Sequence, residues 1–260
     1  MSAKDLAGFG SWQLRVSLLR ATGTDATPVV CSVGAVVSRW AAADEKLPAK
    51  STSPQAWGTV LDVPSYSQTV HLGEYPELNG GGEAWCSAAS TAMVLSFWRR
   101  GPSPADCAWV DPAYADPEVD HAAAGTFDSA YDGCGNWSFN VAYAARFGLV
   151  AYVTRLRSLD EAEVFIQAGV PLVVSVSFGL EELTGAGYST QGHLLVLVGF
   201  TETGDVVVND PASHLIASND EVRVTYYRAE FERAWLPTSG GTAYVIHPPE
   251  YSTGTEGRRH

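Results

Sequence analysis

Residues 85–98 read Trp85-Cys-Ser-Ala-Ala-Ser-Thr-Ala-Met-Val-Leu-Ser-Phe-Trp98. Small or apolar side chains occupy the positions that one buried helix face needs, namely 88, 89, 92, 93, 95 and 97. The following Arg99-Arg-Gly-Pro102 is typical of a helix end, because glycine and proline both stop helices. This stretch therefore predicts a core helix that begins at Cys86.

Further helices are predicted before a set of strands. Residues 136–147 and 160–167 have helical patterns, and Ser158 is in position to cap the second of them. The proline-rich residues 102–137 between the helices predict a long polar loop. Apolar runs of strand length are found at 171–178, 194–200, 205–209 and 242–247. Residues 201–204 predict a hairpin turn. Helices followed by antiparallel strands indicate an α+β fold.

The N-terminal residues predict an additional β-hairpin. Apolar residues alternate with polar ones at 12, 14, 16 and 18, and a second strand-like run covers 29–37. A hairpin is marginal alone, so residues 1–40 must pack on the main domain, on a partner chain or on a missing remainder of their own domain. We expect a linker at 41–60, the main domain at 61–250 and a flexible tail at 251–260.

Composition and charge exclude some classes of function. The chain of 260 residues is 46% hydrophobic and 17% charged, which describes a globular protein with a core. Its net charge of −13 disfavours nucleic acid as a partner. The same charge favours a cationic peptide at long range, although acidity also serves solubility alone. The longest apolar run, His193 to Phe200, has the length of a strand, and a bilayer span needs roughly 20 residues.

The cysteines leave the redox compartment open. No CxxC pair exists among the four, so a structural zinc site is not expected. Cys107 and Cys134 flank the predicted polar loop and would form a disulfide in an oxidising compartment but stay thiols in a reducing one. The spacing of Asp128, Asp132 and Asn136 lacks the ligand run and glycine of a calcium loop. We expect neither a metal nor another cofactor.

The start of the chain does not predict a signal peptide, because no apolar segment follows residues 1–5. Either the protein is cytoplasmic, or the sequence is a piece of a longer secreted protein. Eight tryptophans, few lysines and loops rich in Gly, Pro and Asp favour a secreted or cell-envelope protein.

Three residues form an ordered constellation that suits nucleophilic catalysis. Cys86 begins a helix, where the partial positive charge stabilises a thiolate. His193 opens a buried strand, and Asp210 ends the next strand, so that hairpin pairing leaves the two offset by about three residues. An aspartate there would fix the tautomer of the imidazole and stabilise its protonated form. Asn209 is the alternative orienting residue. Taken singly, each of the three residues fits a structural role at least as well as a catalytic one.

Four stretches carry a resemblance to a known family: Val63-Pro-Ser-Tyr-Ser-Gln68, Trp85-Cys-Ser-Ala-Ala-Ser-Thr-Ala-Met-Val-Leu95, Gly192-His-Leu-Leu-Val-Leu-Val-Gly-Phe200 and Val208-Asn-Asp-Pro-Ala212. The sequence resembles cysteine peptidase family 39 and its relatives, the bacteriocin-processing peptidases of the papain-like group. The resemblance spans about residues 61–250 and implies a papain-like fold, with N-terminal helices packed on an antiparallel sheet.

The resemblance implies a role for each site residue. Cys86 is expected to attack a carbonyl, His193 to transfer the proton, Asp210 to orient the histidine, and Gln68 to donate a hydrogen bond to the oxyanion. Substrate contacts are expected from residues adjacent to these positions and from nearby aromatic rings: Trp85, Ser87, Trp137, Tyr188 and Gly192. For the aromatic residues, core packing is the alternative.

The function implied is hydrolysis of peptide or amide bonds through an acyl-thioester. Two alternatives stay open at this stage. The same site would also serve acyl transfer to an amine, as in transpeptidation, and the same fold would also serve a catalytically silent binding module. A peptide or protein is the expected partner, and the sequence leaves the oligomeric state undetermined.

Overall fold

A computed structural model describes residues 13–25, 27, 29–30 and 55–251. The chain divides into two compact units at residue 35. In the N-terminal unit the described residues are exposed, and they contain one turn at residues 22–23 and no strand. The other residues of the predicted hairpin lie outside the described residues, so the hairpin stays a prediction.

The larger unit contains five α-helices and six strands within its described part. The helices are α1 (Cys86–Phe97), α2 (Pro117–Thr126), α3 (Trp137–Ala145), α4 (Leu159–Gln167) and α5 (Arg228–Ser239). The strands are β1 (Val150–Arg155), β2 (Leu172–Phe178), β3 (Thr190–Phe200), β4 (Val206–Asn209), β5 (Arg223–Tyr226) and β6 (Thr242–His247). Four short 3-10 helices cover Gln68–His71, Gly82–Ala84, Ser213–Leu215 and Asn219–Glu221.

The six strands form one sheet in the order β1-β6-β2-β3-β4-β5, and all neighbouring strands are antiparallel. Its central strand β3 is buried on both faces, which explains why its sequence is continuously apolar instead of alternating. Leu195 and Leu197 pack towards the side of α4 and α5, whereas Leu194 and Val196 pack towards the side of α1, α2 and α3. The fold is therefore α+β, as predicted, with helices on both faces of an antiparallel sheet.

The sequence pattern did not predict the helices α2 and α5 or the strands β1 and β5. α2 lies inside the stretch predicted as a polar loop, where Pro117 is the first residue of the helix and so does not disrupt it. Its inner face buries Val119, Ala122 and Ala123. α5 contains Pro237, which hides its helical pattern. The short strands β1 and β5 were also missed.

The last residues of the predicted linker belong to the folded unit. The indole nitrogen of Trp57 donates a hydrogen bond to Glu163 at 3.1 Å, and the backbone of Trp57 pairs with Phe200. At the other end of the domain, the ring of Tyr251 contacts that of Trp98 edge-on, with centroids 4.6 Å apart. Residues 41–54 and 252–260 lie outside the described residues.

The beginning of α1 is fixed against the beginning of β3. The hydroxyl of Ser90 in α1 donates a hydrogen bond to the carbonyl oxygen of Leu194 at 3.1 Å. Cys86 lies one helical turn before Ser90, and His193 directly precedes Leu194. This contact therefore brings Cys86 and His193 to the same place.

Candidate active site

A cavity of about 610 Å³ opens where α1 and β3 begin. Six of the residues that the sequence singled out line it: Gln68, Cys86, Trp137, Tyr188, Gly192 and His193. Tyr131, which no sequence pattern indicated, contributes a largely exposed ring to the same wall. The cavity combines polar groups with aromatic surface, as small-molecule and peptide sites do.

Cys86 is the first residue of α1 and is partly exposed in the cavity wall. Trp85, which precedes it, makes no side-chain hydrogen bond to the helix end, so side-chain capping does not occupy the N–H groups of the first turn. Burial by itself raises the pKa of the Cys86 thiol, but the hydrogen bond and the charge of His193 outweigh it. The net effect is a lowered pKa, which favours the thiolate.

His193 is bound to Asp210 through Nε2, which lies 2.8 Å from Oδ1 of the aspartate. Nδ1 is therefore the ring nitrogen that remains for Cys86. Burial lowers the pKa of His193, but the charge of Asp210 and the hydrogen bonds to Asp210 and Cys86 raise it above its ordinary value. A lowered thiol pKa beside a raised imidazole pKa favours a thiolate–imidazolium pair.

The strand register accounts for the contact between His193 and Asp210. A regular hairpin about Thr203 predicts an offset of three residues, but the pairing shifts between Leu197 and Gly199. Val196 therefore pairs with Asn209, and the next step of the same register leaves Asp210 only two residues from His193. Residues two apart lie on the same face of a strand, so the two side chains meet.

The carboxylate of Asp210 is wholly buried and accepts hydrogen bonds from four groups. Besides His193, the donors are the hydroxyls of Tyr188 and Tyr226, each 2.8 Å from Oδ2, and the backbone N–H of Ala212, 3.0 Å from Oδ1. Burial raises the pKa of Asp210, but the charge and hydrogen bond of His193 and then the two tyrosines lower it overall. Asp210 is thus held as a carboxylate in a fixed orientation.

Asn209, the alternative orienting residue, has a different role. Its amide nitrogen donates to the carbonyl oxygens of Val63 and Pro64 at 3.1 and 2.9 Å, and its amide oxygen accepts from Arg223 at 2.9 Å. These bonds fasten the extended segment before Gln68 to the sheet. The geometry therefore favours Asp210 over Asn209 as the partner of His193.

Gln68 reaches the cavity because the loop between it and Cys86 folds back. A Cβ atom on Gly82 would overlap the carbonyl oxygen of Gln68, so only glycine fits this contact. Nε2 of Gln68 donates to the carbonyl oxygen of Glu83 at 2.8 Å, which uses one of its two N–H groups. The second N–H remains for a ligand.

Two of the residues expected to contact substrate are instead part of the core. Trp85 is fully buried, and its indole nitrogen donates to the carbonyl oxygen of Leu78 at 2.7 Å. Ser87 is fully buried, and its hydroxyl lies 2.9 Å from that of Tyr244. The expectation for both was wrong, because neighbours of a cysteine on a buried helix point into the core. Trp137 and Gly192 do line the cavity.

The remaining cysteines and the acidic loop have ordinary structural surroundings. Cys107 and Cys134 are free thiols, and burial raises their pKa values to about 11 and about 12. Asp128 accepts hydrogen bonds from Asn136 at 2.7 Å and from the backbone N–H of Ala130 at 2.9 Å, so it stabilises a turn. Within the described part of the chain, no helix has the length and apolar composition of a membrane span.

Cys86 and His193 line one cavity, and the buried carboxylate of Asp210 binds the far side of the His193 ring, an arrangement typical of papain-like proteins. The model of the Peptidase_C39 like family matches residues 60–243, most of the chain, and the protein belongs to this family. No curated protein matches the sequence.

Solved structures match the chain at low sequence identity. A double glycine motif protease from an AMS/PCAT transporter, solved with its leader peptide, is 19% identical with a TM-score of 0.44, and the match covers 74% of this chain and 94% of that one. A putative C39-like peptidase from Bacillus anthracis is 16% identical with a TM-score of 0.44, covering 75% and 99%. The interpain A cysteine protease of Prevotella intermedia is 15% identical with a TM-score of 0.39, covering 75% and 96%.

Proposed function

We propose that this protein is a cysteine peptidase that hydrolyses peptide bonds through an acyl-thioester on Cys86. The observation that carries the proposal is that Cys86 and His193 line the same open cavity, while His193 is hydrogen-bonded to the buried carboxylate of Asp210. A histidine with a purely structural role needs neither a cysteine such as Cys86 on one side nor a carboxylate such as Asp210 on the other. An activated cysteine nucleophile requires a histidine as its base and a third group that orients the histidine.

The first half of the reaction forms the acyl-enzyme. The Cys86 thiolate attacks the carbonyl carbon of the substrate, a C–S bond forms, and the carbonyl π electrons move to the oxygen. The backbone N–H of Cys86 and the free N–H of Gln68 donate to this oxyanion. The imidazolium of His193 then gives its proton to the amide nitrogen, the C–N bond breaks, and the amine leaves.

The second half releases the acid. Neutral His193 removes a proton from a water molecule, which attacks the thioester carbonyl carbon. The oxyanion forms again at the same donors and collapses with cleavage of the C–S bond. The product carboxylic acid leaves, and the thiolate and the imidazolium are restored. Asp210 keeps the same hydrogen bond to Nε2 throughout and stabilises the imidazolium without accepting its proton.

A peptide library with mass-spectrometric readout tests this function. The wild-type protein should cleave a subset of peptides, and Cys86→Ala should lower the rate by about 10⁴-fold or more while its thermal unfolding stays close to wild type. Cys107→Ala is the matched control, because that thiol has a raised pKa and does not line the cavity. Equal cleavage by wild type and Cys86→Ala would contradict the proposal.

Addition of an amine to the same assay separates hydrolysis from acyl transfer. Hydrolysis yields the free acid with or without the amine, whereas a transferase yields the amide adduct. A peptide that binds the cavity but is never cleaved or transferred would instead indicate a binding module.

A further inference from the structure

A second buried histidine lies beside carboxylates behind the candidate active site. His71 ends the 3-10 helix that begins with Gln68, Glu74 follows in the next turn of the loop, and Asp120 comes from α2. Nδ1 of His71 lies 2.7 Å from Oε2 of Glu74 and 3.6 Å from Oδ2 of Asp120. One potential ligand atom from each of the three residues lies within 4.8 Å of the other two.

Several polar atoms of this cluster have no hydrogen-bond partner in the protein. His71 and Asp120 are wholly buried, and Glu74 is 7% exposed. Within the described part of the chain, Nε2 of His71 and both carboxylate oxygens of Asp120 have no hydrogen-bond partner. Buried polar atoms are nearly always paired, and an unpaired buried carboxylate is strongly unfavourable. Either a bound cation or a proton shared between Asp120 and Glu74 would complete the carboxylates of the cluster.

The donor set suits a divalent transition-metal ion. With a neutral imidazole, the two carboxylates carry a charge of −2, which a divalent ion neutralises. Zinc accepts histidine nitrogen and carboxylate oxygen at about 2.0–2.2 Å, so tetrahedral ligands lie roughly 3.3 Å apart. The separations of 2.7 and 3.6 Å lie on either side of that value. Calcium and magnesium fit less well, because they favour six or more oxygen ligands.

We propose that His71, Glu74 and Asp120 bind one structural divalent ion of the zinc type. The ion would join the loop that carries Gln68 to α2. Gln68 and His71 are the two ends of a single helical turn, and Gly82 packs directly on it. The ring of His71 also contacts Trp85, the residue before Cys86, with centroids 5.9 Å apart. The consequence for Gln68, that the ion holds its amide at the cavity, rests on the proposed peptidase function, but ion binding does not.

The ion is tested in the Cys86→Ala protein, because a thiolate beside an imidazole is itself a zinc-binding pair. The protein is treated with a chelator, exchanged into metal-free buffer and titrated with Zn²⁺, and bound metal is measured by elemental analysis. We expect one equivalent of zinc and a rise of several degrees in Tm on zinc addition. Asp120→Asn and His71→Gln, each in the same background, should bind zinc more than 10-fold more weakly and lose the rise in Tm.

Glu118→Gln is the matched control, because Glu118 is a carboxylate on α2 that does not belong to the cluster. It should bind zinc as the parent does. If one ligand variant does not fold, the other ligand variant still tests the site, and elemental analysis of the chelated and reloaded parent still gives the stoichiometry.

Three results would overturn the proposal. The first is zinc uptake that is equal in Asp120→Asn and in Glu118→Gln. The second is absence of zinc uptake by the parent, which would leave a proton shared between Glu74 and Asp120 as the completing species. The third is preferential binding of Ca²⁺. Peptide cleavage by the wild type is measured separately. Zinc binding without cleavage would therefore contradict the proposed peptidase function but not the proposed metal site.

Discussion

Two histidines of this protein are buried beside carboxylates, and they differ in how fully their partners are satisfied. Asp210, beside His193, accepts from four donors, and each of its oxygens is hydrogen-bonded. Asp120, beside His71, has no donor at either oxygen in the described part of the chain. The first carboxylate is complete without a ligand, whereas the second is not.

The difference separates two uses of a buried charge. A carboxylate with all of its lone pairs occupied holds a histidine in one orientation and keeps it charged, which is what proton transfer at Cys86 requires. A carboxylate without partners in the same protein interior is stable only when something else binds it. The free energy of unfolding should therefore fall when Asp210 is changed to asparagine, and it should stay equal or rise when Asp120 is changed in chelator-treated protein.

The largest effect is expected from Asp210→Asn. The amide cannot accept from four donors, and it brings an N–H group towards donors, so the protein should lose about 3–5 kcal/mol of stability. Peptide hydrolysis should fall by about 10⁴-fold, because the imidazole loses both its tautomer and its charge stabilisation. Denaturant unfolding and initial-rate measurements check both effects.

Asp120→Asn makes the same chemical change at the carboxylate that has no hydrogen-bond donors. In chelator-treated protein, its unfolding free energy should equal or exceed that of the wild type, because the amide removes an unpaired buried charge. Asp220→Asn, at an exposed aspartate, is the control for both variants. Equal destabilisation by Asp210→Asn and Asp120→Asn in chelator would contradict the distinction between the two regions.

The second largest effect is expected at Gln68, which lies between the two regions. Gln68→Ala removes one oxyanion donor and should lower the hydrolysis rate by about 10²–10³-fold. The rate at which iodoacetamide alkylates Cys86 should stay unchanged, because alkylation forms no oxyanion. Gln167→Ala, at an exposed glutamine in α4, is the control. A parallel loss of alkylation would show that Gln68 acts through the structure of the site and not through the oxyanion.

The main features of the site were accessible from the sequence because they follow local patterns. The extent of α1 came from helical periodicity and a glycine-proline stop after it, and the start of β3 came from an apolar run of strand length. Asp210 followed from the hairpin between β3 and β4. The observed offset of two residues between His193 and Asp210, instead of three, could not be predicted, because no sequence signal marks the bulge at Val198.

Contacts between distant segments were not accessible. Tyr226 binds Asp210 from β5, which has only four residues, and the alternation in Arg223-Val-Thr-Tyr226 is its only signal. Trp85 and Ser87 were assigned to the cavity because they adjoin Cys86, although a helix turns neighbours through about 100° per residue. The cluster of His71 and Asp120 depends on α2, and the proline-rich sequence around this helix led to the prediction of a loop.

The third prediction concerns the pH dependence of Cys86 alkylation. The pKa of Cys86 is lowered, so its thiolate persists below the ordinary thiol pKa of about 8.5. At pH 6, alkylation of Cys86 should therefore be faster than that of a free cysteine peptide, although a stabilised thiolate is also a weaker nucleophile.

Removal of His193 should reverse this behaviour. In His193→Ala the largest opposition to the effect of burial on Cys86 is lost, and only the backbone hydrogen bonds of Leu194 and Ser87 still lower the pKa of the thiol. The pKa should therefore rise, and the reactive form should appear only at higher pH. Mass spectrometry of the labelled peptide, measured from pH 5 to 10, checks both curves. Coincident curves for wild type and His193→Ala would contradict the thiolate–imidazolium pair.

The smallest effect is expected from Tyr226→Phe, which removes one of the four donors to Asp210 and leaves the carboxylate charged. Loss of a hydrogen bond to a buried charge should lower stability by about 1–3 kcal/mol, and the hydrolysis rate should fall by about 10-fold because Asp210 holds His193 less firmly. The neighbouring Tyr227 is 59% exposed, so Tyr227→Phe tests the same chemical change outside the network. If Tyr226→Phe were as mild as Tyr227→Phe, the hydrogen bonds to Asp210 would be redundant. In that case, full satisfaction of the carboxylate would not be what distinguishes it from Asp120.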